Sequence, residues 1–371
     1  MAGRIRWRNL VDSPSPTALE RLQLGALSGA SCLYRAGLAL DRCLHRLRGP
    51  WRPPVPSVCV GNITVGGTGK TTLVRHLARR LEDRGIRSAV ILRGYGRLDP
   101  RSTRVVHDGR SLLEGPDTAG DEAVMLAQGL SRTVVVVGPS RRASSELALT
   151  RLGVQALLFD DGLQHWGLSA HRTVALWDAT VDPSRARLLP RGCLREPLGG
   201  LRRFDVLIIT RCDAAPDCAR VAEALGRIRG GAAAPLANHA PVAVRDAQGT
   251  RHRPESLAGQ RLLAFSSLGN PGAFSATLTA LGAEVLEDRV FPDHHRYTAE
   301  EVEALGAAAE ALGADGMVTT EKDWAKLAAM ETPAVRVLEV DFALARSDLG
   351  GASPLDDLVD FLGGEETAAG E

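Results

Sequence analysis

The chain has 371 residues and a net charge of +1, with 44% hydrophobic and 24% charged residues, 39 Gly and 20 Pro. Its length suits two domains, and its composition excludes a disordered, collagen-like or low-complexity chain. The near-zero charge provides no global field for a nucleic-acid binder, and no nucleic acid is expected as a partner.

The basic N-terminal stretch comes first. Residues 1–52 hold nine Arg against Asp12, Glu20 and Asp41, while the rest of the chain is mildly acidic, which suggests an anionic surface as partner for this end. Thr17 and Glu20 have capping-box spacing and Gly49-Pro50 is a stop, so a helix is predicted over 17–48. Leu22, Ala26, Ala30, Leu33, Gly37, Leu40, Leu44 and Leu47 form an apolar stripe at helical spacing. The longest uncharged run, Leu22 to Tyr34, has 13 residues, short of the roughly 20 needed to cross a bilayer. Two readings stand: a helix lying in a membrane interface with Arg towards anionic head groups, or a surface helix packed on the core by its stripe.

A short β-rich run (57–60) leads into Gly61-Asn62-Ile63-Thr64-Val65-Gly66-Gly67-Thr68-Gly69-Lys70-Thr71-Thr72, followed by a helical pattern to Leu81. Strand, glycine loop and helix in that order is the context of a phosphate-binding P-loop. Backbone N–H groups and the helix N-terminus converge there on phosphate. Residues 64–72 are the expected nucleotide cradle, Lys70 reaching the β- and γ-phosphates and Thr71 placing its hydroxyl on Mg²⁺. Only Lys70, Lys322 and Lys326 among 45 basic residues are Lys. A Lys that survives such a bias marks a place where the planar guanidinium does not fit. Thr64 departs from the general pattern, which has Gly there. The Gly66-Gly67 pair is similar to partitioning-type ATPases, whose signature Lys is Val65 here.

Further along, Ser88–Leu92, Thr133–Val137, Val154–Asp161, Thr173–Leu176 and Val206–Thr210 read as buried strands alternating with helices. That predicts a mostly parallel sheet. The strand ending in Asp160-Asp161 supplies the metal-side acids a P-loop protein requires. Arg93, Tyr95 and Arg97 sit on a glycine-hinged loop after a strand, suiting an anionic or sugar substrate or forming a plain basic turn. Asp121 opens a helix, as a dipole partner or as the acceptor of a hydroxyl proton. Asp293-His294-His295-Arg296-Tyr297 is a dense polar cluster in which one His would help catalysis and the other bond structurally. Of the two C-terminal lysines, Lys322 has the better claim to a phosphate. The six cysteines (Cys32, Cys43, Cys59, Cys193, Cys212, Cys218) form no CxxC and read as buried or incidental thiols of a reducing compartment.

In order, VGNITVGGTGKT (Val60–Thr71), RGYGR (Arg93–Arg97), GDEA (Gly120–Ala123), DDGLQH (Asp160–His165), LPRGCLREPLGGLRRFD (Leu189–Asp205), SSLGNPGAF (Ser266–Phe274), FPDHHRY (Phe291–Tyr297) and TTEKDW (Thr319–Trp324) span nearly the whole chain. Together they resemble the tetraacyldisaccharide 4′-kinase family, the lipid A 4′-kinases of Gram-negative bacteria. That family shares Thr at position 64 but has Pro where this chain has Thr72. The resemblance implies ATP- and Mg²⁺-dependent phosphorylation of the 4′-hydroxyl of a tetraacylated glucosamine disaccharide 1-phosphate, giving lipid IVA in lipopolysaccharide biosynthesis. It implies an α/β fold with a P-loop NTPase core, an N-terminal amphipathic helix and a smaller C-terminal α/β subdomain. It also implies peripheral attachment through that helix to the cytoplasmic face of the inner membrane, favouring the first reading of the stripe.

Carried over by motif, Lys70 stabilises the transferring phosphoryl group, and Thr71, Asp160 and Asp161 serve the metal. Asp121 is the base, assisted by His294 or His295. Tyr95 and Glu196 line the site, and Arg93, Arg97, Arg191 and Arg195 are candidates for the 1-phosphate. The expected divisions are a membrane-associating helix (1–52), the kinase core (53–240), the C-terminal subdomain (241–362) and a disordered tail (363–371). Thr210-Arg211-Cys212-Asp213 looks like a drifted guanine-reading motif and supports an alternative, a P-loop GTPase switch or metal-insertion chaperone. A membrane-surface partitioning ATPase is a second rival.

Overall fold

The computed structural model describes residues 11, 17–231, 234–268, 272–292, 295–327, 330, 334–345 and 353–364. Its contacts divide the chain into two compact units: 1–70, 155–238 and 344–371 form the first, and 71–154 with 239–343 form the second. Most of the expected tail, residues 365–371, lies outside the described residues.

The first described element is α1 (Ala18–Arg48), begun by a complete Thr17/Glu20 capping box. Its packed face is Leu24, Leu27, Ser31, Tyr34, Leu38 and Arg42, at steps of three and four. Ser31 Oγ donates to Leu188 O (3.1 Å), Tyr34 OH to Arg195 O (2.9 Å), and the Arg42 guanidinium lies over Trp166. The leucine stripe faces the other way: Leu22 is 73% exposed, Leu33 77%, Leu40 62% and Leu47 80%. The stripe therefore does not pack the helix on the core. Among the described residues no helix is long and apolar enough to cross a membrane.

Next come β1 (Ser57–Asn62), α2 (Lys70–Asp83), β2 (Ser88–Leu92), β3 (Arg104–Asp108), α3 (Pro116–Ala119), α4 (Asp121–Gln128), β4 (Val134–Val137) and α5 (Arg141–Leu152). The chain continues through β5 (Ala156–Asp160), β6 (Arg172–Asp178), β7 (Val206–Thr210) and α6 (Cys218–Ile228). In the first unit β1 lies between β5 and β6, with β7 beyond β6, all parallel. Every residue of β1 and β5 is buried, as befits a sheet covered on both faces. In the second unit β2 and β4 are parallel and β3 runs antiparallel to β4. The five strands predicted from apolar runs appear within a few residues of their expected bounds. The short, half-polar β3 has no such run and shows no sequence signal.

The rest of the chain forms β8 (Ala237–Arg245), β9 (Arg251–His252), β10 (Arg261–Ser266), α7 (Gly272–Ala280), β11 (Glu284–Val290), α8 (Ala299–Ala311), β12 (Gly316–Thr320), α9 (Glu321–Leu327), β13 (Val335–Leu344) and α10 (Pro354–Leu362). The strands make a six-stranded sheet in the order β11-β10-β12-β13-β8-β9. Alternate residues of β10 feed opposite cores. Leu262 and Ala264 pack with Phe274, Leu278 and Val318, whereas Leu263 and Phe265 pack with Tyr297, Val302 and Leu305.

Cys212 and Cys218 form a disulfide, with Cα atoms 5.3 Å apart. For these two residues this corrects the reading of all six cysteines as buried or incidental thiols. The reversal between β7 and α6 brings the two together, a proximity their sequence separation of six does not signal. Cys32 and Cys43 are exposed rather than buried.

Glu82 near the end of α2 accepts the backbone N–H groups of Ser131 (3.0 Å), Arg132 (2.7 Å) and Thr133 (2.7 Å), fixing the approach to β4. Burial pushes its pKa up, but these donors outweigh burial and leave it below the ordinary 4.5. A depressed folded pKa gives stability that is present above the unfolded value and lost as pH falls through the folded one. Glu82→Gln should cost about 1–2 kcal/mol at neutral pH. In urea unfolding the gap from wild type should narrow as pH is lowered below 4.5.

Candidate active site

The first unit builds a phosphate cradle at the end of β1. Parallel pairing sets Val60 opposite Asp160, so the glycine loop leaves β1 beside the acids that end β5. Gly61 permits this approach, because a Cβ there would meet the Leu163 side chain at 2.6 Å. Gly66 (φ 124°) and Gly69 (φ 81°) bend the loop through conformations closed to other L-residues. The loop is pinned from one side: Arg195 N–H donates to Ile63 O and Val65 N–H to Cys193 O, each at 2.7 Å. The amide of Val65 is therefore committed to this pin. From another side Thr210 Oγ1 donates to Thr68 O (3.1 Å). Among the described residues, nothing stands within 4 Å of a Cβ built on Gly67, and the buried Thr68 hydroxyl oxygen has no hydrogen-bond partner.

Lys70 Nζ donates to Asn62 Oδ1 (3.3 Å) and lies 3.8 Å from Asp161 Oδ1. Asp161 adopts the left-handed conformation (φ 49°) that Asp tolerates, and also receives Arg195 on both oxygens (3.0 and 3.1 Å). Two cations thus hold Asp161, while Asp160 is 4% exposed at the strand end. Arg195, expected at the 1-phosphate, spends its guanidinium on Asp161 and on Gln164 Oε1 (3.3 Å).

Glu196, expected to line the site, is 3% exposed. It receives both Arg203 terminal nitrogens and Gln164 Nε2 (3.0 Å), while Arg203 also lies over Trp166 and Phe204. That is a buried ion pair bracing the segment that pins the loop. The resemblance to a guanine reader dissolves: Thr210 bonds Thr68 and Trp177 carbonyls, and Arg211 pairs with Asp178 at 2.7 Å.

The second unit builds a separate cluster. A Cβ on Gly120 (φ 91°) would meet Tyr95 O at 2.5 Å, and one on Gly94 (φ 70°) would meet Ala119 O at 3.0 Å. The two motifs RGYGR and GDEA thus pack backbone against backbone, putting the exposed Arg93 and Tyr95 on the loop next to Asp121. Arg97 is turned inward: it is buried, donates to Pro100 O (2.8 Å), and burial lowers its pKa. Arg191 is anchored by its backbone, whose N–H donates to Ser31 Oγ (3.2 Å).

His294 and Asp293 lie outside the described residues. His295 stacks on Phe291 (centroids 4.8 Å apart) and bonds Glu301 Oε2 (2.8 Å). Glu301 also completes the capping box of α8, so this is a structural placement. Of the two C-terminal lysines, the sequence favours Lys322, but the buried Asp323 and the partly buried Asp121 lie near Lys326. Its Nζ donates to Ser267 Oγ (2.6 Å) and Asp323 Oδ1 (3.2 Å), with Asp121 Oδ2 at 4.0 Å. Asn62, Gln164 and Arg203 lie inside the motifs, but nothing in the sequence context of the last two marks them as site residues. A polar residue ending an otherwise apolar strand was the available signal for Asn62.

Compared with known proteins, residues 24–353 match the family described as "Tetraacyldisaccharide-1-P 4'-kinase". A protein named "Tetraacyldisaccharide 4'-kinase" from Anaeromyxobacter sp. (strain Fw109-5) is 42% identical, covering 91% of this chain and 92% of its own length. One so named from Syntrophus aciditrophicus (strain SB) is 36% identical, covering 88% and 91%. A crystal structure of LpxK from Aquifex aeolicus, described as an "apo" form in complex with ATP, matches with TM-score 0.72 at 28% identity. The match covers 92% of this chain and 99% of that one.

Removing one partner of a buried pair strands the other charge, so Glu196→Ala should lower the unfolding free energy by about 3 kcal/mol. Pairing it with Arg203→Met should recover most of that loss. Chemical denaturation of the two variants measures both.

Proposed function

Because the chain belongs to the tetraacyldisaccharide-1-P 4'-kinase family, we propose how its own residues divide the work of that reaction. The protein is an enzyme, a kinase that phosphorylates the 4′-hydroxyl of tetraacyldisaccharide 1-phosphate to give lipid IVA in lipid A biosynthesis, with ATP as donor. The assignment rests above all on one observation: a pinned glycine loop carries Lys70 beside the acids that end the neighbouring parallel strand.

The loop fits a phosphate chain. It offers open space at Gly67, an unsatisfied hydroxyl at Thr68, and the amides that open α2. Residues 66–72 supply donors to the phosphates; Val65 holds the loop's shape. Lys70 exchanges Asn62 and Asp161 for the β- and γ-phosphate oxygens and stabilises the transferring group. The donors Thr71, Asp160 and Asp161 are all oxygen, which fits a hard cation held with few protein ligands. Thr71 and Asp160 would hold Mg²⁺, and Asp161, tied to two cations, would shape the charge around it. When bound, Mg²⁺ neutralises charge on the phosphate oxygens.

On the acceptor side, Asp121 accepts the 4′-hydroxyl proton. His294 is our candidate helper, since His295 is bonded to Glu301. Arg93 is the best-placed exposed cation for the substrate's 1-phosphate, and Tyr95 lies beside it. Phosphoryl transfer depends mainly on positioning and charge neutralisation.

Purified protein, Mg²⁺, γ-labelled ATP and detergent-solubilised tetraacyldisaccharide 1-phosphate should yield label at the 4′ position. Lys70→Ala should reduce kcat by about 10³-fold or more, and Asp121→Asn by about 10²–10⁴-fold. ATP hydrolysis with no labelled lipid, or full activity in Lys70→Ala, would sink the assignment.

We further propose that α1 rests in the cytoplasmic surface of the inner membrane. The support is its exposed Leu22, Leu33, Leu40, Leu44 and Leu47, on the face opposite the one packed on the first unit, with Arg21, Arg35 and Arg46 on the flank. Replacing Leu33 and Leu40 together by Ser should weaken flotation with anionic vesicles by about tenfold or more per leucine. Activity in detergent should stay as in wild type. Unchanged flotation would refute the docking face.

A further inference from the structure

Lys326 is one of three lysines among 45 basic residues, and its side chain is 5% exposed. An ammonium has three N–H donors. It donates to Ser267 Oγ (2.6 Å) and to Asp323 Oδ1 (3.2 Å). The next oxygen is Asp121 Oδ2 at 4.0 Å. Asp323 is itself fully buried and saturated, accepting Ser267 N–H (3.0 Å), Thr320 Oγ1 (2.7 Å) and Ser267 Oγ. The Tyr297 ring closes the cage, its centroid 5.8 Å from the ammonium. Lys326 meets these partners as a compact point charge, which a planar guanidinium does not reproduce, in keeping with a Lys in a chain that mostly uses Arg.

We propose that Lys326 is a positioning residue for the phosphoryl transfer, keeping the Asp121 carboxylate ionised and oriented to receive the acceptor's proton. The inference rests on the reading of Asp121 as base. Asp121, Asp323 and Lys326 together carry one negative charge. When the 4′-hydroxyl oxygen bonds the γ-phosphorus of ATP, the bond from that phosphorus to the β,γ-bridging oxygen breaks, ADP leaves with the electron pair, and the hydroxyl proton passes to Asp121, which makes the cluster neutral. Without Lys326 the two carboxylates would lose the cation that lies near both, and Asp121 would hold a proton at higher pH.

Among the described residues, the titratable and charged groups on the surrounding elements are Asp121 and Glu122 of α4, Glu321 (paired with Arg75), Lys322, Asp323 and Lys326 of α9, and Tyr297. Beyond Tyr297 are His295 and Glu301. The Tyr297 phenol, pushed well up by burial and by Asp323, stays neutral. An opposite charge at this range lowers an Asp pKa by about 1–3 units, so losing it moves the acid limb of kcat upward by that much.

The test compares kcat against pH for wild type, Lys326→Met, Lys326→Met/Asp323→Asn and Asp121→Asn, with a thermal melt of each. The Asp121 carboxylate is also titrated by ¹³C NMR without substrate. The double variant leaves no unpaired buried charge and serves if Lys326→Met does not fold. The expected result is an acid limb raised by about one unit or more in the Lys326 variants, KM for ATP and lipid within about twofold, and the Asp121 resonance titrating at higher pH. A folded double variant whose acid limb and Asp121 titration match wild type overturns the proposal, since Lys326 then only neutralises Asp323. If Asp121→Asn keeps full activity, the base reading falls and this proposal with it. If Asp121→Asn is inactive while the limb stays put, only the role of Lys326 falls.

Discussion

Two backbone hydrogen bonds, from Arg195 to Ile63 and from Val65 to Cys193, set the shape of the phosphate loop. A glycine-rich loop has the largest conformational freedom to lose on ordering, and most of its amides must be kept for phosphate rather than for neighbours. The chain resolves this by pinning the loop at its start and leaving the amides beyond Val65 to the phosphates. The pinning segment must then be rigid in its own right, which gives the buried Glu196–Arg203 pair, the Gln164 amide and the stacking on Trp166 their reason. Site residues and bracing residues alternate along a few positions: Arg195 and Glu196 are chain neighbours that serve different shells.

The same logic explains why the acids of β5 are not equivalent. Asp161 occupies a left-handed turn, faces two cations and helps hold Lys70 in readiness. Asp160 remains on the strand, buried beside the loop. Two adjacent carboxylates repel each other, and the two cations against Asp161 offset that repulsion.

Much of this was legible from residues alone. Long apolar runs bounded by glycine announced the parallel strands, and Thr17 with Glu20 announced the helix start. The glycine loop located Lys70. Other features were hidden for physical reasons. Periodicity showed a stripe on α1 but not which face meets the body. The true packing face uses Ser31, Tyr34 and Arg42, whose hydrogen bonds and ring contacts carry no hydrophobic signature. A charge in a motif string does not say whether it points at solvent or inward. Arg97 and Glu196 read as substrate contacts and are bonded within the protein. Lys322 and Lys326 are indistinguishable by type, and only the fold, by bringing Ser267 and Asp121 to the same helix, separates them.

The scarcity of lysine has a chemical consequence of its own. Arginine is nearly inert to acylating reagents at neutral pH, so this surface presents very few amines to them. The side-chain amines number three: Lys70 in the phosphate loop near Asp161, Lys326 near Asp121, and Lys322. Reagents that would decorate an ordinary protein at dozens of places have almost no targets on this one outside its working parts. Amine chemistry becomes a footprinting method for the phosphate loop, with protection by nucleotide read at Lys70, while the buried Lys326 stays shielded.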